Sequence, residues 1–244
     1  MSKEKSIPLV EEPGYTAEDH ALLFGAIAKT VCDTLGERAE PILKETVIRY
    51  GTQRGRRMRL RAEKDGLPIC MATYLLYREY QLQPGQFCSK TAWNDQGDMH
   101  DCAVKCPWAE TWGRYGLSQY AAVYCRNVDA ALGRGFDETV VIEAKANLTE
   151  GAPNCDIWFR GAAKRQSVSA EGLDLDRRAR LPWKYHLAHV YRVFSDTLQE
   201  FVGAEVAGQI LKRSCSCFTE LSHHKDPCAF LDLADMDFES IGDY

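Results

Sequence analysis

Phe87-Cys88-Ser89-Lys90-Thr91-Ala92-Trp93, then Asn94-Asp95-Gln96-Gly97-Asp98-Met99, then His100-Asp101-Cys102-Ala103-Val104: in this stretch the apolar spacing changes from the helical period to a period of two. Phe87, Ser89, Thr91 and Trp93 alternate with polar neighbours, Asn94 to Gly97 supplies turn chemistry, and His100, Cys102 and Val104 alternate again. That pattern predicts a β-hairpin. A second follows, with Thr139 to Leu148 as one strand, Glu150-Gly151-Ala152-Pro153-Asn154 as the turn and Cys155 to Phe159 as the partner. Between them Pro107 to about Tyr115 and Ser118 to about Leu132 read as helices, the latter stopped by Gly133 and Gly135. The order hairpin, two helices, hairpin predicts an α+β fold: one antiparallel four-stranded sheet with helices packed on it.

Outward from this core, residues 86 to 162, the chain is helical. Residues 1 to 15, with Pro8, Pro13 and Gly14, read as a flexible lead. In the N-terminal helical part, residues 16 to 85, Thr16 is an N-cap with Asp19 in the place of the capping-box Glu, and Gly36 stops that helix. A long basic helix runs from Glu37 to about Asp65, and a shorter one, opened by Pro68, to Tyr80. Gly51 and Gly55 lie four apart and leave one face of the long helix bare for close approach. Its arginines predict a solvated cationic face beside a tight crossing, with a carboxylate-binding role for one of them, Arg54, as the alternative. Residues 161 to 180 read as a charged surface connection. In the C-terminal part, residues 163 to 231, helices after Pro182 and over about Ala204 to Lys212 pack on the same domain, and 232 to 244 form an acidic, loosely held tail.

The 244 residues, 45% of them hydrophobic, exclude disorder of the whole chain. A formal charge of -5 gives no net attraction for nucleic acid or an anionic membrane surface. No apolar run approaches the ~20 residues that span a bilayer, and Met1-Ser2-Lys3-Glu4-Lys5 does not open a secretory leader, so a cytoplasmic location is expected. In a reducing compartment the ten cysteines are packing, reactive or metal-binding residues rather than a disulfide framework. A homo-oligomer is a general expectation for such a chain.

The chemistry concentrates in the middle third. Pro107 suits a first helical position and leaves Cys106 as N-cap, where free backbone N–H groups favour a thiolate; if the strand continues, Cys102 and Cys106 share a face. Cys125 and Asp129, four apart with Tyr124 beside them, share a helix face. The second turn brings Asn147 and Cys155 to one end of the sheet. Two chemistries use such a set. A cysteine, Cys155 by preference or Cys106, can attack an electrophilic carbon while Asp129 or a histidine moves protons and Asn147 steadies the developing charge, with Trp108 and Tyr124 as pocket walls. Alternatively, Cys106, Cys125 and Cys155 with Asp129 have the ligand types of a zinc site, although no CxxC pair occurs. His186 and His189, three apart on a helix, are packing residues on the ordinary reading and a base or ligands on the other. Cys215, Cys217, His223, His224 and Cys228 carry metal-type side chains at a spacing that suits few tetrahedral sites.

The run Cys106-Pro107-Trp108-Ala109-Glu110, with Gly116-Leu117, Tyr124-Cys125, Asp129, Gly135-Phe136, Asn147-Leu148, Gly151 and Cys155-Asp156, resembles the L-2-amino-thiazoline-4-carboxylic acid hydrolase family. The resemblance implies a ring-opening hydrolase acting on a C–N bond of a small cyclic amidine, amide or ureide, with no cofactor. The element order is also similar to 4-vinyl reductase type ligand-binding domains, whose cysteines can bind zinc. Asn147 stands where that sensor pattern expects another thiol, which favours catalysis over a zinc- or ligand-binding sensor module.

Overall fold

Thr16 caps the first helix as its sequence requires: its hydroxyl accepts the Asp19 N–H while Asp19 accepts the Thr16 N–H at 2.8 Å. The computed structural model describes residues 14–162 and 168–240, so most of the N-terminal lead, residues 163–167 of the connection and the last four residues lie outside the described residues. In chain order the elements are α1 (Ala17–Leu35), α2 (Ala39–Lys64), α3 (Met71–Leu76), β1 (Cys88–Trp93), β2 (Met99–Lys105), α4 (Pro107–Arg114), α5 (Ser118–Phe136), β3 (Ile142–Ala146), β4 (Cys155–Phe159), α6 (Leu175–Ala179), α7 (Trp183–Val202) and α8 (Ala204–Leu221). No described helix is long and apolar enough to cross a membrane.

The two expected hairpins join into one antiparallel sheet of order β1-β2-β4-β3, the expected α+β arrangement. Ala103 lies opposite Cys155, Asp101 opposite Ile157, and Ile157 opposite Ala144. Because side chains alternate along a strand, these residues share one face, and that face looks toward the helices. His100 and Trp158, opposite each other on the other face, stack with ring centroids 4.4 Å apart. Cys102 shares the outer register, so it does not share a face with Cys106: β2 ends at Lys105 and the chain turns into α4.

Two core clusters hold the layers together. The larger joins α1, α2, α4, α5, α7 and α8 around Phe24, Trp112 and Phe194; the smaller seats Met99, Ile142 and Phe159 of the sheet against Met58, Leu132 and Phe136. Their common beam is the crossing of α2 and α5. A Cβ on Gly55 would stand 2.2 Å from the Leu132 carbonyl oxygen, and one on Gly135 would stand 2.3 Å from that of Thr52. Gly133 and Gly135 therefore do not stop α5, which continues to Phe136. They are packing glycines that let two backbones touch.

Two other elements differ from their sequence pattern. The segment after Pro68 stays extended to Cys70, and α3 ends at Leu76, because the chain that follows turns Glu79 and Tyr80 into the interior. Helix α8 runs on to Leu221, nine residues beyond Lys212, with Phe218 buried beneath it. As far as Ser240 the acidic tail is docked rather than loose. Phe238 is 4% exposed, stacks on His189 at 4.8 Å and receives an Arg57 hydrogen bond on its carbonyl oxygen.

Candidate functional site

Between the inner face of the sheet and helices α2, α4 and α5 lies a cavity of about 340 Å³. Cys106, Trp108, Tyr124, Cys125, Asp129, Asn147, Cys155 and Arg54 all border it, so the residues singled out for the proposed chemistry and pocket walls come together. His189 does not. It is fully buried beside α2, where its Nε2 meets Gln53 Oε1 at 2.8 Å.

Arg49, Arg56 and Arg59 of α2 keep the expected solvent contact, but three other arginines of the helix are the main departure from it. Arg54, Arg57 and Arg61 are all buried, and all three grip the carboxylate of Glu79: Arg54 Nε at 3.0 Å, Arg57 Nη2 at 2.9 Å and Arg61 Nη1 at 3.2 Å. They recur every three to four residues along one helical stripe, a stripe that faces inward because Glu79 is there to meet it. Burial pushes the Glu79 carboxyl up, but Arg57, Arg54 and Arg61 together hold it well below the usual carboxylate range. One negative charge faces three positive ones, leaving a surplus of about two. Arg54 lies at the cavity end of this cluster. It donates to Glu79 through Nε, and among the described residues its two terminal nitrogens donate to no protein acceptor.

The thiols differ in their surroundings. Burial pushes the Cys106 thiol up to about 11 against the pull of the Ala109 and Trp108 amides, and its sulfur closes no capping hydrogen bond. The N-cap position is as expected, but the lowered pKa is not, because burial of the thiol outweighs the two amides. Cys125 is pushed up by burial and shares a hydrogen bond with the Thr149 hydroxyl at 3.2 Å. Cys155 is also raised by burial, but its sulfur accepts the Leu148 N–H at 3.4 Å, a bond that favours the thiolate. Asn147 is engaged twice by Glu150, accepting its N–H at 3.0 Å and donating to its carboxylate at 2.5 Å. It builds the turn that aims the Leu148 N–H at Cys155. Burial raises the Asp129 carboxyl against the attraction of Arg78 and Arg54, making it a stronger base than an exposed aspartate. Among the described residues no group of three His, Cys, Asp or Glu side chains is placed to hold a metal ion, and this includes the three thiols with Asp129.

Sequence reasoning missed His20, Glu79 and the hydroxyls of Tyr50 and Tyr80. Trp108 Nε1 donates to His20 Nδ1 at 3.0 Å, and His20 Nε2 meets the Tyr50 hydroxyl at 2.9 Å. Tyr50 meets Tyr80 at 2.9 Å, and Tyr80 meets Tyr124 at 3.1 Å. Tyr50 falls at an apolar helix position and Glu79 in a stretch of helical spacing, so their local pattern gives no sign of a buried polar network.

A thiol-bearing cavity beneath an antiparallel sheet, with the buried guanidinium of Arg54 on its wall, defines the class: an α+β protein with a pocket between its sheet and its helices. The chain belongs to the L-2-amino-thiazoline-4-carboxylic acid hydrolase family, whose model matches residues 16–159. That span holds the sheet and all the cavity residues discussed above. No curated protein and no solved structure matches the chain.

Proposed function

We propose that the protein is a hydrolase that opens a small anionic cyclic amidine, 2-amino-thiazoline-4-carboxylate or a close relative, within this cavity. The observation that carries the proposal is the pairing of a buried guanidinium with unspent donors, Arg54, and a thiol and carboxyl in one cavity of about 340 Å³. That volume is at the small end of ligand sites. The surplus positive charge behind Arg54 selects a carboxylate, and the low-polarity surroundings strengthen the attraction.

Cys155 is the nucleophile in this proposal because its sulfur accepts the Leu148 N–H, while Cys125 is tied to Thr149 and burial pushes the Cys106 thiol up to about 11. Asp129 removes the Cys155 proton, and the thiolate adds to the amidine carbon. The ring bond from that carbon to its leaving heteroatom breaks, and the heteroatom takes the proton back from Asp129. The opened substrate is then held on sulfur through the former amidine carbon. Water adds there, the thiolate leaves, and a carbamoyl compound departs with the net gain of one water.

The test is mass spectrometry of the purified protein and of Cys155→Ser against 2-amino-thiazoline-4-carboxylate and a panel of cyclic amidines, lactams and ureides. A gain of one water on a carboxylated ring with the wild type, lost in the variant, is the expected result. No gain on any ring overturns the hydrolase assignment, and an undiminished gain in Cys155→Ser overturns the nucleophile.

A further inference from the structure

The chain Trp108–His20–Tyr50–Tyr80–Tyr124 is hydrogen-bonded throughout, and its first member fixes its direction. An indole N–H only donates, so His20 Nδ1, 3.0 Å from Trp108 Nε1, is an acceptor and carries no proton. In the neutral imidazole the proton is then on Nε2 and is donated to the Tyr50 oxygen 2.9 Å away. Tyr50 in turn gives its proton to Tyr80, since the His20 nitrogen beside it is already a donor. Tyr80 has the same nitrogen at 3.5 Å and Tyr50 pointing at it, which leaves Tyr124 as its acceptor. The chain therefore runs one way, and among the described residues the Tyr124 hydroxyl has no acceptor for its own proton.

Tyr124 borders the cavity, as does Arg54, whose guanidinium lies 3.8 Å from the centre of the Tyr80 ring. We infer that Tyr124 is the donor end of a one-way hydrogen-bond chain and gives its hydrogen bond to the carboxylate that Arg54 holds. This rests on the anionic ligand proposed above and deepens it: the ligand presents an anionic oxygen to an Arg–Tyr pair, where a neutral carbonyl oxygen accepts weaker hydrogen bonds. Burial raises the hydroxyls of Tyr50, Tyr80 and Tyr124 well above the ordinary phenol range, in keeping with a row of donors that stay protonated. Each bond polarises the next, so Tyr124 is a better donor than an isolated phenol.

Two measurements test this in the full-length chain. Nitrogen-15 NMR of the imidazole of His20 is expected to find the proton on Nε2; a proton on Nδ1 overturns the direction of the chain, whatever the protein binds. Calorimetry in the Cys155→Ser background, where the probe is not consumed, then compares 2-amino-thiazoline-4-carboxylate with its neutral carboxamide. Tyr124→Phe is expected to weaken the carboxylate by about ten- to hundredfold, the range for a hydrogen bond to a charged group, and the carboxamide by less than about tenfold, the range for a neutral one. Equal losses on both probes, or none on the carboxylate, overturn the Arg–Tyr assignment. If the Cys155→Ser parent binds neither probe, the anionic-ligand proposal falls and the assignment of Tyr124 to a carboxylate falls with it, while the His20 tautomer still decides the direction.

Discussion

Glu79 makes the burial of three guanidinium groups tolerable, so its charge matters more than its volume. Glu79→Gln keeps the shape and leaves three cations around a neutral amide. The expected loss is about 3–5 kcal/mol of stability, as when one partner of a buried ion cluster is removed, and urea unfolding measures it. The cysteines separate by what each sulfur touches. Cys125, hydrogen-bonded to Thr149, packs the cavity wall, and Cys125→Ala is expected to lower turnover by less than about tenfold, against a loss of about 10³-fold or more for a nucleophile. Steady-state kinetics of the two variants on the same ring acid distinguishes them.

At the scale of elements, the contact between α2 and α5 sets the site, because Arg54 is on one helix and Tyr124, Cys125 and Asp129 are on the other. Gly55→Ala places a methyl against the backbone of Leu132, Phe136 and Gly135, atoms that give only if the helices separate. The gain of about 1 kcal/mol in helix propensity is outweighed, and a net loss of about 2 kcal/mol or more is expected in thermal unfolding, with weaker binding of the ring acid. Gly208, inside α8, has open space where its Cβ would stand. Gly208→Ala is expected to stabilise by about 0.4–1 kcal/mol and to leave turnover unchanged. The same residue type thus has opposite consequences on two helices.

At the scale of the molecule, three buried imidazoles make the fold acid-sensitive. Burial lowers His20 to about 3 and holds His186 and His189 well below the ordinary range, with Arg54 adding to the effect on each. The native state leaves these rings neutral while the unfolded chain protonates them near pH 6.5, so the unfolded state binds more protons below that pH. Stability is therefore full above about pH 6.5 and falls as pH drops toward 3, by about 1.4 kcal/mol per pH unit for each ring. Glu79, held low by its arginines, adds loss in the same direction below the ordinary carboxylate range. Asp129, raised by burial, opposes it between its ordinary and raised values. Urea midpoints measured between pH 7.5 and 4.5 are expected to fall steeply, and a flat profile would show that the rings are protonated in the fold.

Period and punctuation in the sequence determined both hairpins, the capped first helix and the bare glycine face, because each depends on neighbours within a few residues; the hairpin–helix–helix–hairpin order then set out Cys106, Cys125, Asp129 and Cys155 for the fold to gather. Tertiary structure alone decided that the basic stripe of α2 faces inward, since the carboxylate that makes this tolerable comes from Glu79, outside the helix. It also decided that Gly133 and Gly135 pack rather than stop a helix, and that the Cys106 thiol is raised rather than lowered. The polar chain from Trp108 to Tyr124 joins α4, α1, α2, the segment after α3 and α5. A hydrogen bond between residues 30 to 88 positions apart leaves no trace in local spacing, because the partner that satisfies each donor is brought there only by the packing of the whole fold.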